Sequence, residues 1–199
     1  MDQTHIAQQL LDGSPPATAE TLLDTLQTLG IDAVTVSHPP MFTVADSKRL
    51  RATPVEGGYT KNLFVRNKKG RMWLFTCQED RTVDLGALAA AVNGGRFSFA
   101  SRQRLMHYLG VTAGAVTPLA LVNDTLCAVQ FAIDSVLLTH ETIHLHPLDN
   151  RQTTTMATTD LLQFAAHSGH CPLRIDFAPD GSAHCPGEAT LASATAARS

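Results

Sequence analysis

The chain has 199 residues, 44% of them hydrophobic, with 15 Lys and Arg against 18 Asp and Glu for a net charge of −3. That length favours a single domain around one sizeable core. No run of eighteen apolar residues occurs, and Met1-Asp2-Gln3-Thr4-His5 lacks the basic and apolar regions of a signal peptide, which argues against a membrane span or a secretory leader and for a cytoplasmic location.

In chain order, Ser14-Pro15-Pro16 predicts a helix start with Ser14 as cap, and Ala19, Leu22, Leu23, Leu26 and Leu29 recur at helical spacing until Gly30. Ala33 to Val36 reads as a short strand stopped by His38-Pro39-Pro40, and Thr43 to Arg51 as a short helix. A hairpin follows, Leu63 to Arg66 and Met72 to Phe75 around the basic turn Asn67-Lys68-Lys69-Gly70. Asp84 to Val92 predicts a helix closed by Asn93-Gly94-Gly95, and Ser101 caps another that closes at Gly110. Strands are expected at Leu119–Val122, Ala128–Ile133, Thr142–Leu145 and Leu173–Phe177, with a helix from Thr159 through Ala166. The composition from Pro179 to Ser199 is small and polar, so a domain over 14–178 and an unstructured tail over 179–199 are expected. Strands and helices interleave without a regular βαβ repeat, which predicts an α/β fold with a mixed sheet packed by helices.

Charge is distributed unevenly. Residues 1–47 hold six acids and no Lys or Arg, residues 48–104 twelve bases against four acids, and residues 105–199 three bases against eight acids. Such a basic segment fits a polyanion such as nucleic acid, or else a solvated face balanced by acids elsewhere. Cys77, Cys127, Cys171 and Cys185 are far apart and read as reduced thiols, with Cys77 and Cys127 in apolar runs that suggest core positions.

Chemistry concentrates in Gly57-Gly58-Tyr59-Thr60-Lys61-Asn62-Leu63-Phe64-Val65. Of four lysines, Lys61 alone leads into an apolar run, and the two glycines before it permit close approach of backbone to a ligand. A second segment, Gly114 to Pro118, is a helix exit whose Gly-x-x-x-Pro spacing can present fixed backbone donors and acceptors. His140, His144 and His146 invite a metal reading, with His144 and His146 sharing one face of a strand as zinc ligands do, but the third ligand is hard to name and no His-Glu-x-x-His helix or cysteine cluster accompanies them. His146, before Pro147, reads instead as a hydrogen-bonding group at a site rim. His167, His170 and His184 read as surface or loop residues. Nucleophile elbows, P-loops and dinucleotide fingerprints are missing from the sequence, so an enzyme built on it works without an obvious protein nucleophile.

Taken together, His38-Pro39-Pro40-x-Phe42-Thr43-Val44, Thr60-Lys61-Asn62-Leu63-Phe64, Leu109-Gly110-Val111-Thr112 with Gly114-x-x-x-Pro118, Leu121-Val122-Asn123-Asp124 and His146-Pro147-Leu148 resemble the YbaK/ProX-type trans-editing deacylases, related to the editing domain of bacterial prolyl-tRNA synthetase. Within that family the resemblance is closest to the Ala-tRNA(Pro) deacylases. It implies a compact α/β domain with a mixed, largely antiparallel sheet, and hydrolysis of the ester between alanine and the terminal adenosine of proline tRNA. It implies no cofactor and no metal. The proline-tRNA acceptor end is the implied partner, prolyl-tRNA synthetase a candidate second one, and no membrane is involved. The resemblance places catalytic roles on Lys61, Asn62 and His146 and substrate contacts on Gly114, Ala115, Val116, Thr117 and Pro118, with Val36, Met41 and Val44 as walls of an alanine-sized pocket. The hairpin bases Arg66, Lys68, Lys69 and Arg71 are the expected tRNA contacts. A deacylase of the same fold for Cys-tRNA(Pro) or another mischarged tRNA, and a non-catalytic tRNA-binding or synthetase-associated module, remain the alternatives at this stage.

Overall fold

The computed structural model describes residues 9–41, 43–51 and 55–186. Helix α1 (Ala19–Thr28) buries Leu22 and Leu26, one turn apart, but it starts later than Ser14 predicts. Thr18 caps it instead, because Thr18 and Thr21 exchange side-chain to backbone bonds in a capping box. Ser14 is occupied elsewhere, with both its N–H and its hydroxyl on Asp12. Strand β1 (Ala33–Ser37) and helix α2 (Val44–Leu50), capped by Thr43, follow as expected.

The hairpin is longer than the apolar runs suggested. β2 spans Gly58–Arg66 and β3 Met72–Gln78, paired antiparallel from Thr60↔Gln78 to Arg66↔Met72. Helix α3 (Leu85–Ala91), the short β4 (Ser98–Phe99) and α4 (Arg102–Leu109) come next, and Gly110 ends α4 in the left-handed conformation. Pro118–Asn123, expected as a strand, is a 3₁₀ helix. A buried apolar run does not distinguish the two by pattern, and Thr117 caps the segment while Asn123 binds the Ala17 N–H and the Leu109 carbonyl.

β5 (Val129–Asp134), a 3₁₀ turn at Ser135–Thr139, β6 (Thr142–Leu145), β7 (Gln152–Ala157), α5 (Thr158–His167), β8 (Leu173–Phe177) and β9 (Ala183–His184) complete the chain. The tail expected from Pro179 is structured at its start: β9 pairs with β8 and Cys185 is buried, while residues 187–199 lie outside the described region. At the other end the core reaches back to Leu10, four residues before the expected boundary.

The strands form one mixed sheet in the order β1-β7-β6-β2-β3-β5-β8-β9, with β4 on β2. Antiparallel pairs outnumber the parallel contacts β2–β6, β3–β5 and β5–β8. β3 is buried on both faces: Met72 and Leu74 join Leu22, Leu109 and Phe164 on one side, and Trp73, Phe75 and Cys77 join Leu88 and Ala89 on the other. Cys127, expected in the core, is exposed, because the loop before β5 turns outward there at positive φ. His170, expected as a surface or loop residue, lies in a loop but is buried on Asp124, its Nε2 3.0 Å from the carboxylate.

Two register facts position the site. β2 meets β6 only at Gly58↔Ile143 and Tyr59↔His144, and meets β4 only at Val65↔Phe99 and Arg66↔Ser98. Between Thr60 and Phe64 that edge of β2 pairs with neither. Gly57, just before β2, is required by the seam with β6: it has φ +137, and a Cβ on it would stand 2.5 Å from Thr142 Oγ1 and 2.7 Å from His144 Nε2.

Candidate active site

Two adjoining clefts open along the unpaired stretch of β2. One, of about 210 Å³, is lined by Met41, Thr43, Val44, Ser47, Thr60, Lys61, Asn62, Glu79, Gly114, Val116 and His146. The other, of about 250 Å³, shares Met41, Ser47, Thr60, Glu79 and His146 and adds Val36, His38, Arg51, Tyr59, His144 and Thr153 among others. Joined through the shared residues, they reach the range of about 300–1,000 Å³ common for small-molecule sites.

Strand alternation sends Lys61 and Asn62 to opposite faces, Lys61 with its register partner Cys77 and Asn62 with Thr76. Both nevertheless line the cleft. Lys61 Nζ donates to the Arg81 carbonyl, beyond which the Arg81 side chain is ion-paired with the fully buried Asp134. The Cys77 thiol behind it is pushed up to about 12 by burial, opposed by the nearby Lys61 charge.

Asn62 is held by two hydrogen bonds. Its Nδ2 donates to the Val116 carbonyl at 2.9 Å, and its Oδ1 accepts from the Thr76 hydroxyl at 2.7 Å, so the amide ties the strand to the Gly114–Pro118 loop. Of that loop only Gly114 and Val116 line the cleft. Ala115, Thr117 and Pro118 are buried, and the Ala115 N–H is bonded to the Thr112 carbonyl at 3.0 Å, so the loop offers fewer groups than its spacing implied. Gly114 sits at φ +93, a conformation that suits glycine.

His146 joins the two clefts. Its Nδ1 lies 2.7 Å from the Gln152 carbonyl, an acceptor only, so Nδ1 carries the proton and Nε2 is left as an acceptor when the ring is neutral. Burial pushes its pKa below the ordinary value, opposed by the bond to Gln152. His38 is its ring neighbour at 6.1 Å and bonds the Thr153 hydroxyl at 2.8 Å.

The second cleft holds a layered stack that the sequence did not reveal. The Arg51 guanidinium lies 3.6 Å from the Tyr59 ring centroid, and His144 stacks on Tyr59 at 4.1 Å. Arg51 is also ion-paired with the nearly buried Glu79 at 2.7 Å. Arg51, Tyr59, Glu79 and His144 come from four separate stretches of chain, so no local motif marks them; the basic run at 48–51 is the only hint. His144 itself is engaged with Thr155 and the Glu56 carbonyl, and burial lowers its pKa. Among the described residues no group of three metal-ligating side chains is found.

The expected pocket walls divide between the clefts: Val44 beside Lys61, Val36 in the neighbouring cleft, Met41 in both. The expected tRNA contacts lie at the far end of β2 and in its turn, with Lys68, Lys69 and Arg71 exposed and Arg66 half-buried. No helix among the described residues is long and apolar enough to cross a membrane.

Comparison with known proteins agrees with this geometry. The family described as "Aminoacyl-tRNA editing domain" matches residues 38–164, a span that contains every lining residue of the two clefts except Val36. A prolyl-tRNA synthetase associated domain-containing protein 1 of Danio rerio is 32% identical over 184 residues, covering 89% of this chain and all of the relative. The prolyl-tRNA editing protein ProX of Acetoanaerobium sticklandii is 30% identical over 152 residues, 76% of this chain and 92% of the relative. A solved structure of a candidate trans-editing enzyme for prolyl tRNA synthetase shares the fold, with a TM-score of 0.61 at 21% identity over 81% of this chain and 98% of that one. The fold, the cleft along β2 and these matches establish that the chain belongs to the aminoacyl-tRNA editing domain family, of the YbaK/ProX type.

Proposed function

We propose that the protein is a cytoplasmic trans-editing deacylase that hydrolyses the aminoacyl ester of mischarged proline tRNA, with Ala-tRNA(Pro) as its preferred substrate. The observation that carries this reading is the convergence of Lys61, Asn62, Gly114, Val116 and His146 with Met41 and Val44 on one cleft. The names of the relatives, a prolyl-tRNA editing protein among them, point to proline tRNA, and prolyl-tRNA synthetase is the natural source of the mischarged substrate.

An aminoacyl ester is already activated, so the catalyst must position water and stabilise the oxyanion of the tetrahedral transition state. In this reading Lys61 holds the 3′ end electrostatically after exchanging the Arg81 carbonyl for substrate. Backbone groups of Gly114 and Val116 fix the aminoacyl carbonyl or amine, and Asn62 keeps that loop in register. Neutral His146 accepts a hydrogen bond at Nε2 from water or ribose, and the adenosine 2′-hydroxyl helps to orient the attacking water. Val44 and Met41 close the space around the alanine methyl. Such a wall rejects proline by clash but discriminates weakly against smaller groups, since one methyl is worth only about 1–3 kcal/mol.

The test is deacylation of a panel of charged tRNAs by the full chain. Ala-tRNA(Pro) is expected to be hydrolysed fastest and Pro-tRNA(Pro) to be spared. Faster turnover of Cys-tRNA(Pro) would move the specificity to that substrate, and no turnover of any ester would leave a binding module.

A further inference from the structure

Seven bases gather at the end of the sheet remote from the clefts. Arg66 ends β2, Lys68, Lys69 and Arg71 follow in its turn, Arg96 precedes β4, and Arg102 and Arg104 lie in the first turn of α4. Three contacts bring these segments together. Asn67 Nδ2 donates to the Gly94 carbonyl at 3.0 Å, Ser98 is the register partner of Arg66, and Arg104 Nη1 lies 3.9 Å from Met72 Sδ. No acid occurs in 66–71 or 94–104.

Charge compensation is uneven, with Lys61 and Arg174 the other described bases that have no carboxylate partner. Lys48, Arg49, Arg51, Arg81 and Arg151 each have a carboxylate partner, whereas among the described residues none of these seven does. Arg102 and Arg104 further oppose the positive end of the α4 dipole, a local conflict of the kind that marks functional surfaces. Phe99, 63% exposed on β4, stands in the midst of them.

We infer that this end of the sheet receives the base-paired end of the RNA whose 3′ terminus reaches the cleft, the bases neutralising phosphates and Phe99 stacking on an exposed base face. The inference rests on the deacylase reading for the position of the 3′ terminus. Five residues of strand separate Lys61 from Arg66, about 17 Å at about 3.4 Å per residue. The unpaired 3′ end of a tRNA, about four nucleotides, covers about 14 Å if stacked at about 3.4 Å each, so the first base pair falls beside Arg66 and Phe99.

The experiment uses the full chain and an uncharged stem-loop RNA carrying an acceptor helix with its unpaired 3′ end, with Kd measured across a salt series. The triple variant Lys69→Glu, Arg96→Glu, Arg102→Glu is expected to bind at least about tenfold more weakly, with a salt slope smaller by about two to three. Phe99→Ala is expected to bind about five- to a hundredfold more weakly and Phe99→Trp to restore binding. Both the triple variant and Phe99→Ala should hydrolyse the alanyl ester of a short single-stranded 3′ end with wild-type kcat and KM, and show a raised KM only when the stem is present. Unchanged stem binding, or equal loss on the short ester, overturns the inference. So does tighter wild-type binding to polyglutamate than to the RNA, which would assign the surface to an acidic protein. If wild type hydrolyses neither ester, the deacylase reading fails while the stem-binding arm still decides whether this surface holds RNA.

Discussion

Asn62→Ala removes two hydrogen bonds with unequal consequences. The Val116 carbonyl it releases borders an open cleft and can take water, so that loss is worth about 0.5–1.5 kcal/mol. Thr76 is fully buried, and its hydroxyl loses its acceptor where water does not replace it, at about 1–3 kcal/mol. Together the variant should lose about 1.5–4.5 kcal/mol, which lowers the thermal midpoint by about 3–18 °C in a domain of this size. The same change frees the Gly114–Val116 backbone from β2, and a displacement near 1 Å in a substrate-positioning element reduces turnover by about a hundredfold. Asn62→Asp separates the two effects. It keeps an acceptor for Thr76 but sets a carboxylate oxygen against the Val116 carbonyl, so it should recover part of the stability and none of the activity. Thermal unfolding and single-turnover deacylation of Ala-tRNA(Pro) measure both. If Asn62→Asp is as active as wild type, or Asn62→Ala is inactive with an unchanged midpoint, then the amide does not act by holding the loop.

Three further outcomes follow from the clefts. Lys61→Ala should abolish most single-turnover deacylation while shifting the midpoint little, since its one side-chain bond goes to a main-chain carbonyl; activity near wild type would remove Lys61 from the mechanism. Val44→Ala should lower the ratio of Ala-tRNA(Pro) to Pro-tRNA(Pro) hydrolysis more than Val36→Ala, because Val44 shares the cleft of Lys61 and Val36 is 60% exposed beside it; equal effects, or none, would disprove the alanine wall. Burial lowers the pKa of both His144 and His146 from about 6.5, so the unfolded chain takes up protons first and their contribution to stability, complete above pH 6.5, is lost as pH falls through the folded values. The midpoint should therefore drop between pH 7 and pH 5 in wild type, and drop less in a His146→Gln variant; parallel curves would show that His146 is not buried neutral.

Legibility in the sequence followed the range of the interactions concerned. β6 and β8 were readable to the residue, and α2, α3 and α4 nearly so, because their caps and alternation are local. β7 was missed although Gln152–Ala157 holds three consecutive threonines, a β-branched signal masked by their polarity; Thr35 and Thr154 satisfy one another across the β1–β7 pair at 2.8 Å. Lys61, Asn62 and His146 could be named as candidates from ordered motifs, but their hydrogen-bond partners could not, since Thr76, Arg81, Val116 and Gln152 arrive from other strands and loops. The Arg51–Tyr59–His144 stack is a tertiary product with no sequence period at all.

The two-residue contact between β2 and β6 gives the molecule a mechanical character. β1, β7 and β6 form one plate and β2, β3, β5 and β8 another, and among the described residues the ladder between them is limited to the pairs at Gly58 and Tyr59, reinforced by bonds from the Thr60 hydroxyl to the His144 carbonyl and from the Thr142 hydroxyl to the Glu56 carbonyl. The cleft lies along that line, so a small change in the angle between the plates moves its walls apart while each plate keeps its own ladder. Such a joint would let the cleft widen without unfolding either plate, and it predicts that millisecond exchange in nuclear relaxation experiments should concentrate at Gly57, Gly58 and Tyr59 and, on the deacylase reading, quieten when substrate bridges the two plates.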